Sequence, residues 1–187
     1  MSPRPLFFVL ALTLGILPFA PASYSRAAGP GTSAATFLQL GYGARPIGFG
    51  EAFVPVANDV SALYYNPAGL AFPGVSDAKP RPGAYEMLAS QALLAQDVNM
   101  TQFGLVGRPS GLSVTHLSLG GIEQRSSETA APDAIVGASG LAVGLSYARS
   151  LAGLGLGLTG KYIRESIANY SASAYALDLG ALYRFES

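Results

Sequence analysis

The sequence predicts an all-β protein: a transmembrane antiparallel β-barrel, of which about six strands are present, with an N-terminal plug segment containing a short helix. Three observations carry that expectation. From Tyr85 onward, apolar side chains recur mostly at every second position, the period of a strand and not of a helix. The N-terminus reads as an export signal. Charged residues make up only 12% of the 187 residues, where soluble domains average about 25%.

The export signal comes first in the chain. Arg4 supplies a positive start, Leu6 to Phe19 an apolar core, and Ala20-Pro21-Ala22 a small-residue cleavage site, with Ser25-Arg26-Ala27 as a second choice. The apolar core is short against the ~20 residues that a spanning helix needs. No cysteine follows it, or occurs anywhere, which argues against a lipid anchor, disulfides, thiol catalysis and cysteine-based metal sites. Basic and acidic residues balance at 11 each, and no basic patch forms, so nucleic acid is not an expected partner. The segments read as signal peptide 1–22, N-terminal extension 23–40, plug 41–72, linker 73–84 and partial barrel 85–187.

The stretch GYGARPIGFGEAFVPVANDVSALYYNPAGLA, Gly41 to Ala71, is rich in glycine and proline and poor in charge. Its glycines permit sharp turns and close backbone approach. Asn58 to Tyr64 reads as a short helix capped by Asn58 or Asp59 and ended by Asn66-Pro67. The linker that follows carries three prolines between Phe72 and Gly83.

The strands follow in order. Met100 to Arg108 is stopped by Pro109, with a turn at Ser110-Gly111. The next strand has Leu112 and Val114 on one face but Leu117 and Leu119 on the other, a phase flip that predicts a bulge near His116. Glu123 to Asp133 reads as an exposed loop. Leu141, Val143, Leu145 and Tyr147 then alternate with Gly140, Ala142, Gly144, Ser146 and Ala148. After a turn at Ser150 to Gly153, Leu154, Leu156, Leu158 and Tyr162 alternate with Gly155, Gly157, Thr159 and Lys161. Ala168 to Ser173 reads as another loop. In the last strand Tyr175, Leu177, Leu179, Ala181, Tyr183 and Phe185 share one face, and Ala174, Ala176, Asp178, Gly180, Leu182 and Arg184 the other. An apolar face against lipid and a small, weakly polar face against a lumen fit a membrane barrel better than a soluble sandwich. Tyr147, Tyr162, Tyr175 and Tyr183 fit either an interfacial aromatic girdle or ordinary core packing.

Little points to catalysis. His116 is the only histidine; with Ser113 and Asp133 it makes a Ser-His-Asp set on paper, but no nucleophile-elbow pattern accompanies it. A structural or lumen-facing histidine is the better reading, and scattered acids around one histidine make a poor metal site. The Gly41–Gly50 run lacks the Gly-Lys-Ser/Thr ending of a phosphate loop. Lys161, Asp178, Arg149 and Arg184 are the charges embedded in strands, and such charges should face a lumen or a polar partner. Lys161 and Asp178 fall on neighbouring small-residue faces, where a lumenal ion pair is expected, whereas Arg164 and Glu165 are expected to be solvated. Neither a catalytic residue, a metal nor a cofactor is predicted.

The Gly41–Ala71 stretch resembles the N-terminal hatch motif of the PorV/PorQ family, a family of FadL-like barrels. Similar matches follow in order at Gly111–Glu123 (GLSVTHLSLGGIE), Gly144–Arg149 (GLSYAR), Lys161–Glu165 (KYIRE) and Ala176–Tyr183 (ALDLGALY). The resemblance implies that Gly41, Gly43, Arg45, Gly48, Gly50, Phe53, Asn58, Asp59, Tyr64, Asn66, Pro67 and Gly69 form a hatch inside an outer-membrane barrel. Some members of the family are linked to type IX protein secretion, bringing cargo to a surface modification machinery; FadL relatives pass hydrophobic molecules. The expected function is therefore cargo docking at the outer membrane, with passive transport of hydrophobic small molecules as the alternative. Its expected partners are outer-membrane lipid and secreted cargo or an apolar ligand. Pro46, Pro55 and Gly121 depart from the family's usual residues. Family barrels also run on past the last match, so the chain reads as the front half of a barrel. That leaves a truncated gene product, or closure by a second chain, as further expectations.

Overall fold

The computed structural model describes residues 35–74, 85–95, 97–125 and 131–184. The proposed signal peptide, most of the N-terminal extension and most of the linker lie outside the described residues. The rest is one antiparallel sheet of six strands with a folded N-terminal segment on one face. The strands are β1 (Tyr85–Leu93), β2 (Val98–Gly107), β3 (Ser110–Gln124), β4 (Ala134–Leu151), β5 (Leu154–Ile167) and β6 (Tyr170–Tyr183), and they neighbour one another in chain order. No helix among the described residues is long and apolar enough to cross a membrane.

Local chemistry accounts for the strands. Glycine at alternate positions of β4 and β5 would cost a helix ~1 kcal/mol each, while alternating leucines suit a pleated surface. The β4–β5 turn, Ala152-Gly153, has φ of 48° and 83°, the positive pair that a two-residue hairpin turn requires.

Several boundaries differ from the sequence expectation. β3 starts at Ser110, so the β2–β3 turn is Arg108-Pro109 and not Ser110-Gly111. The register runs unbroken through His116; the irregularity lies between Leu119 and Ile122, where Gly121 takes φ 72°. The phase flip instead has Leu117 and Leu119 turned toward the N-terminal segment, with Leu117 packed against Phe37 and its neighbours. β3 extends to Gln124, and β6 begins at Tyr170, so the predicted 168–173 loop shrinks to two residues.

The two faces of the sheet differ sharply. One is covered by the N-terminal segment and carries Gln102, Gly104, Thr115, Gly140, Ala142, Gly144, Ser146, Gly155, Gly157 and Thr159, all buried. On the open face the residues are arranged in register rows. The row Ala89–Phe103–Val114–Val143–Tyr162–Tyr175 is wholly apolar or aromatic, and Met87–Leu105–Leu112–Leu145–Gly160–Leu177 follows it toward the short turns. One step the other way, the row Gln91–Thr101–His116–Leu141–Arg164–Ser173 is polar at every strand but β4. The apolar band thus occupies Leu154 to Tyr162 on β5, with Arg149 of β4 beside Leu156 near its turn end. β4 continues well past it.

The N-terminal segment is built of single turns: 3-10 turns at Thr36–Gln39, Val54–Val56 and Pro67–Ala71, and the short helices α1 (Ala44–Gly48) and α2 (Ala62–Tyr65). Its apolar side chains Phe53, Ala57, Val60, Leu63 and Leu70 form a core with Val106 and Ala148 of the sheet. Phe37 makes a second cluster with Ala142 and Ile163.

Candidate functional site

The candidate site is the junction between the N-terminal segment and the covered face. Its geometry begins with missing side chains. A Cβ on Gly157 would lie 2.3 Å from the Ala68 nitrogen, one on Gly180 2.2 Å from Asn66 Oδ1, and one on Gly104 2.4 Å from the Tyr42 hydroxyl. The glycine-rich face is the space into which the segment's backbone fits. Within the segment, Gly69 has the same role, since a Cβ there would sit 1.8 Å from the Ala57 carbonyl oxygen.

Polar side chains then fix the segment in place. Asn66 is buried and donates through Nδ2 to the carbonyls of Val54 and Ala181, both at 3.2 Å, while its Oδ1 accepts from the Ala68 amide at 3.1 Å. It joins two turns of the segment to edge strand β6, and Pro67 follows it as the first residue of the last 3-10 turn. Gln102 of β2 donates to the Gly41 carbonyl at 2.9 Å and accepts from the Gly43 amide at 3.3 Å. Gly43 itself has φ 79°, which favours glycine. At the other end of the segment, Glu165 of β5 accepts from the Ala35 amide at 3.0 Å.

Arg108 makes the densest set of contacts. Its guanidinium donates to the carbonyls of Gly69 and Asn58, both at 2.9 Å, and pairs with Glu86 of β1 at 2.9 Å. With side chains only 16% and 21% exposed, arginine and glutamate here satisfy buried carbonyls and each other.

Arg45, Asn58 and Asp59 form a cluster on the segment's outer side. Arg45 Nη1 donates to Asn58 Oδ1 at 3.0 Å and to Asp59 Oδ2 at 2.5 Å, and its guanidinium lies over the Phe53 ring. Neither Asn58 nor Asp59 caps a helix as expected. α2 is one turn beginning at Ala62, and Asp59 Oδ1 instead accepts from the amide and hydroxyl of Ser61. An Asx turn replaces the predicted cap. Burial acts to raise the Asp59 carboxyl, but the Ser61 hydroxyl, Arg45 and the Ser61 amide outweigh it and hold the carboxyl below its ordinary value.

Three tyrosines gather beneath this cluster. Tyr42 stacks on Tyr64, and the Tyr65 hydroxyl accepts from the Tyr42 amide at 3.2 Å. Tyr64 donates to the carbonyls of Leu38 and Leu40; burial, with Tyr65, Glu51 and Asp178 nearby, pushes its phenol up to about 12. The Tyr42 hydroxyl is the buried side-chain polar atom left without a hydrogen-bond partner among the described residues, and burial drives its phenol well up. The space beside it, lined by Ser113, Thr115 and Lys161 among others, has a volume of about 10 Å³.

Lys161 and Asp178 meet on the covered face, Nζ to Oδ2 at 2.6 Å, with the ammonium 5.8 Å from the Tyr64 ring centroid. The remaining predicted residues are dispersed. Gly48 and Gly50 are exposed with nothing near their Cα hydrogens, and Gly50 takes φ 63°. Ser113 belongs to the covered face, whereas His116 is exposed on the open face, so the two do not come together in a triad. Arg149 likewise stands exposed on the open face, against the expectation for strand charges, and Arg184 stacks over Phe72. Glu165, expected to be solvated, is half-buried against Ala35. No group of three or more acids or histidines able to hold a metal occurs among the described residues.

Sequence reasoning missed Glu86, Gln102 and Arg108. Gln102 and Arg108 had a signal: a buried-face glutamine amid apolar neighbours and an arginine at a tight turn. The Glu86 partnership had none. No protein-family model, curated protein or solved structure matches the chain.

Proposed function

We propose that this chain forms the wall and plug of an outer-membrane barrel of the PorV/PorQ type, without catalysis, that docks exported protein cargo. The observation that carries the membrane reading is the apolar band of the open face. It is nine residues long on β5, Leu154 to Tyr162, and is bounded by the polar row through Arg164. A tilted strand needs about 9–11 residues to cross a bilayer. Tyr85, Tyr147 and Tyr183 lie toward the turn end of the band and Tyr162 and Tyr175 toward the other, as expected for aromatic girdles. The covered face would then line the lumen, with the segment as its plug. The free edges of β1 and β6 require further strands in lipid, from a second chain or from more of this one.

The turns orient the wall. Two-residue turns, Arg108-Pro109 and Ala152-Gly153, lie at one end; the other has the two-residue β5–β6 turn, 168–169, and the long 125–133 connection. Short periplasmic turns and longer external loops are the bacterial pattern, which puts β4's extension outside the cell.

Docking is favoured over passage by two features. The segment is hydrogen-bonded to β2, β5 and β6 and latched by Arg108, contacts that hold it against the sheet. Beyond the polar row, Ile135, Ile167 and Tyr170 stand 70%, 61% and 84% exposed on the projecting strands, apolar anchors suited to a partner. Outer-membrane fractionation with heat-modifiable gel mobility tests the first half; protein found in the soluble periplasmic fraction overturns it. A photo-crosslinker at Ile135 should trap exported protein. Failure to do so, with permeability to apolar solutes that rises in Asn66→Ala, would assign the chain to passive transport instead.

A further inference from the structure

We propose that the open face carries a phospholipid seat near its turn end, with the lipid phosphate on Arg149 and an acyl chain lying over Ala181. The proposal rests on the membrane reading above.

The shape comes from one small residue among large ones. The register row Arg149–Leu156–Ala181 crosses β4, β5 and β6, and the next row carries Tyr147, Leu158 and Leu179. Where the methyl of Ala181 replaces a larger side chain, the surface sinks into a groove of about 600 Å³ walled by these residues. A cavity of that size is in the range of small-molecule sites. Its walls are leucine and tyrosine, so the occupant's body is apolar.

The charge supplies the other half. Arg149 is exposed at the groove's rim, two residues before β4 ends at Leu151. No described carboxylate pairs with it; the ion pairs of the covered face and segment use Arg45, Arg108 and Lys161. Arg184, another cation at this end, is already stacked on Phe72. A guanidinium on a lipid-facing wall needs an anionic or water-borne partner, and its planar fork matches a phosphate in two hydrogen bonds. Tyr147, in the groove wall one row further into the band, offers a hydroxyl on an apolar ring, the chemistry of the headgroup level. With the longest connection, 125–133, on the external side as in the bacterial pattern, the leaflet here is the inner one, and the occupant is a glycerophospholipid.

An arginine that merely reaches toward water would be indifferent to the groove, and that difference is testable. The full chain is taken up in dodecyl maltoside micelles with dioleoyl phosphatidylglycerol, and retained lipid is counted by native mass spectrometry. The wild-type chain should keep a single lipid adduct. Arg149→Gln should weaken retention about tenfold, the loss of one charge-assisted contact, and Arg149→Lys should restore part of it. Ala181→Leu, which fills the groove and leaves the charge, should weaken retention as well. Entry into micelles is read separately from heat-modifiable mobility. A chain that enters micelles but keeps the same lipid in Arg149→Gln or Ala181→Leu overturns the seat alone. A chain that stays out of micelles overturns the membrane reading and the seat with it.

Discussion

Replacing Gly157 by alanine, with Gly160→Ala as its control, isolates the fit between sheet and plug. Both glycines lie in β5, and by strand propensity alone alanine should be tolerated at each, with a gain of about 0.5–1 kcal/mol over glycine. The faces separate them. A Cβ at Gly160 meets nothing within 4 Å, whereas at Gly157 it lies 2.3 Å from both the Ala68 nitrogen and the Pro67 carbonyl carbon. Ordinary contact starts at 3.4 Å, so the plug backbone must retreat by about 1 Å. That movement stretches the Asn66–Ala181 hydrogen bond, now 3.2 Å, beyond bonding range. Overpacking costs ~1–3 kcal/mol and the one lost bond ~1 kcal/mol, so docking of the segment should weaken by about 2–4 kcal/mol. Hydrogen exchange of peptides covering 62–72 reads this directly, as a fall in protection of about 30- to 1,000-fold, with the β3–β5 ladder amides little changed. Unaltered protection in Gly157→Ala, or an equal loss in Gly160→Ala, would refute the claim that the glycine face exists to seat the plug.

Three further outcomes follow from the same contacts. Arg108→Met removes two carbonyl partners and leaves half-buried Glu86 without its cation; it should destabilise by ~1–3 kcal/mol, measured by urea unfolding, and Glu86→Gln by less. Asp59 has its carboxyl pKa lowered in the folded chain, so its contribution is present above the ordinary aspartate value of 3.8 and is lost as pH falls through the folded value. Exchange in residues 58–62 should rise on acidification below that point, and Asp59→Asn should remove the dependence. Tyr42→Phe deletes the unpartnered buried hydroxyl and should stabilise by ~1 kcal/mol, seen as a higher midpoint in thermal unfolding; a clear loss of stability would show that the hydroxyl has a partner.

Much of the fold was legible because strand faces are a local property. Leu154, Leu156 and Leu158 against Gly155, Gly157 and Thr159 separate the two faces of β5 with no knowledge of its neighbours. The β3 phase flip misled because periodicity registers burial without saying what does the burying. Leu117 is apolar on the covered side because Phe37 lies there, and no bulge is needed at His116. Arg149 misled for the converse reason: a charge inside a strand pattern suggests a polar side, yet near a strand's end the open face also has access to polar surroundings.

By itself the sequence determined the strand set, the glycine-rich face and the existence of a charge-poor N-terminal segment, since these follow from period-2 patterning and backbone freedom. Only the tertiary structure decided how that segment is held. Asn66 reaches Ala181 across 115 residues, Glu165 reaches Ala35 across 130, and Arg108 ties Asn58 and Gly69 to Glu86. Such pairings depend on where the sheet brings distant backbone groups together, and no local propensity encodes that distance.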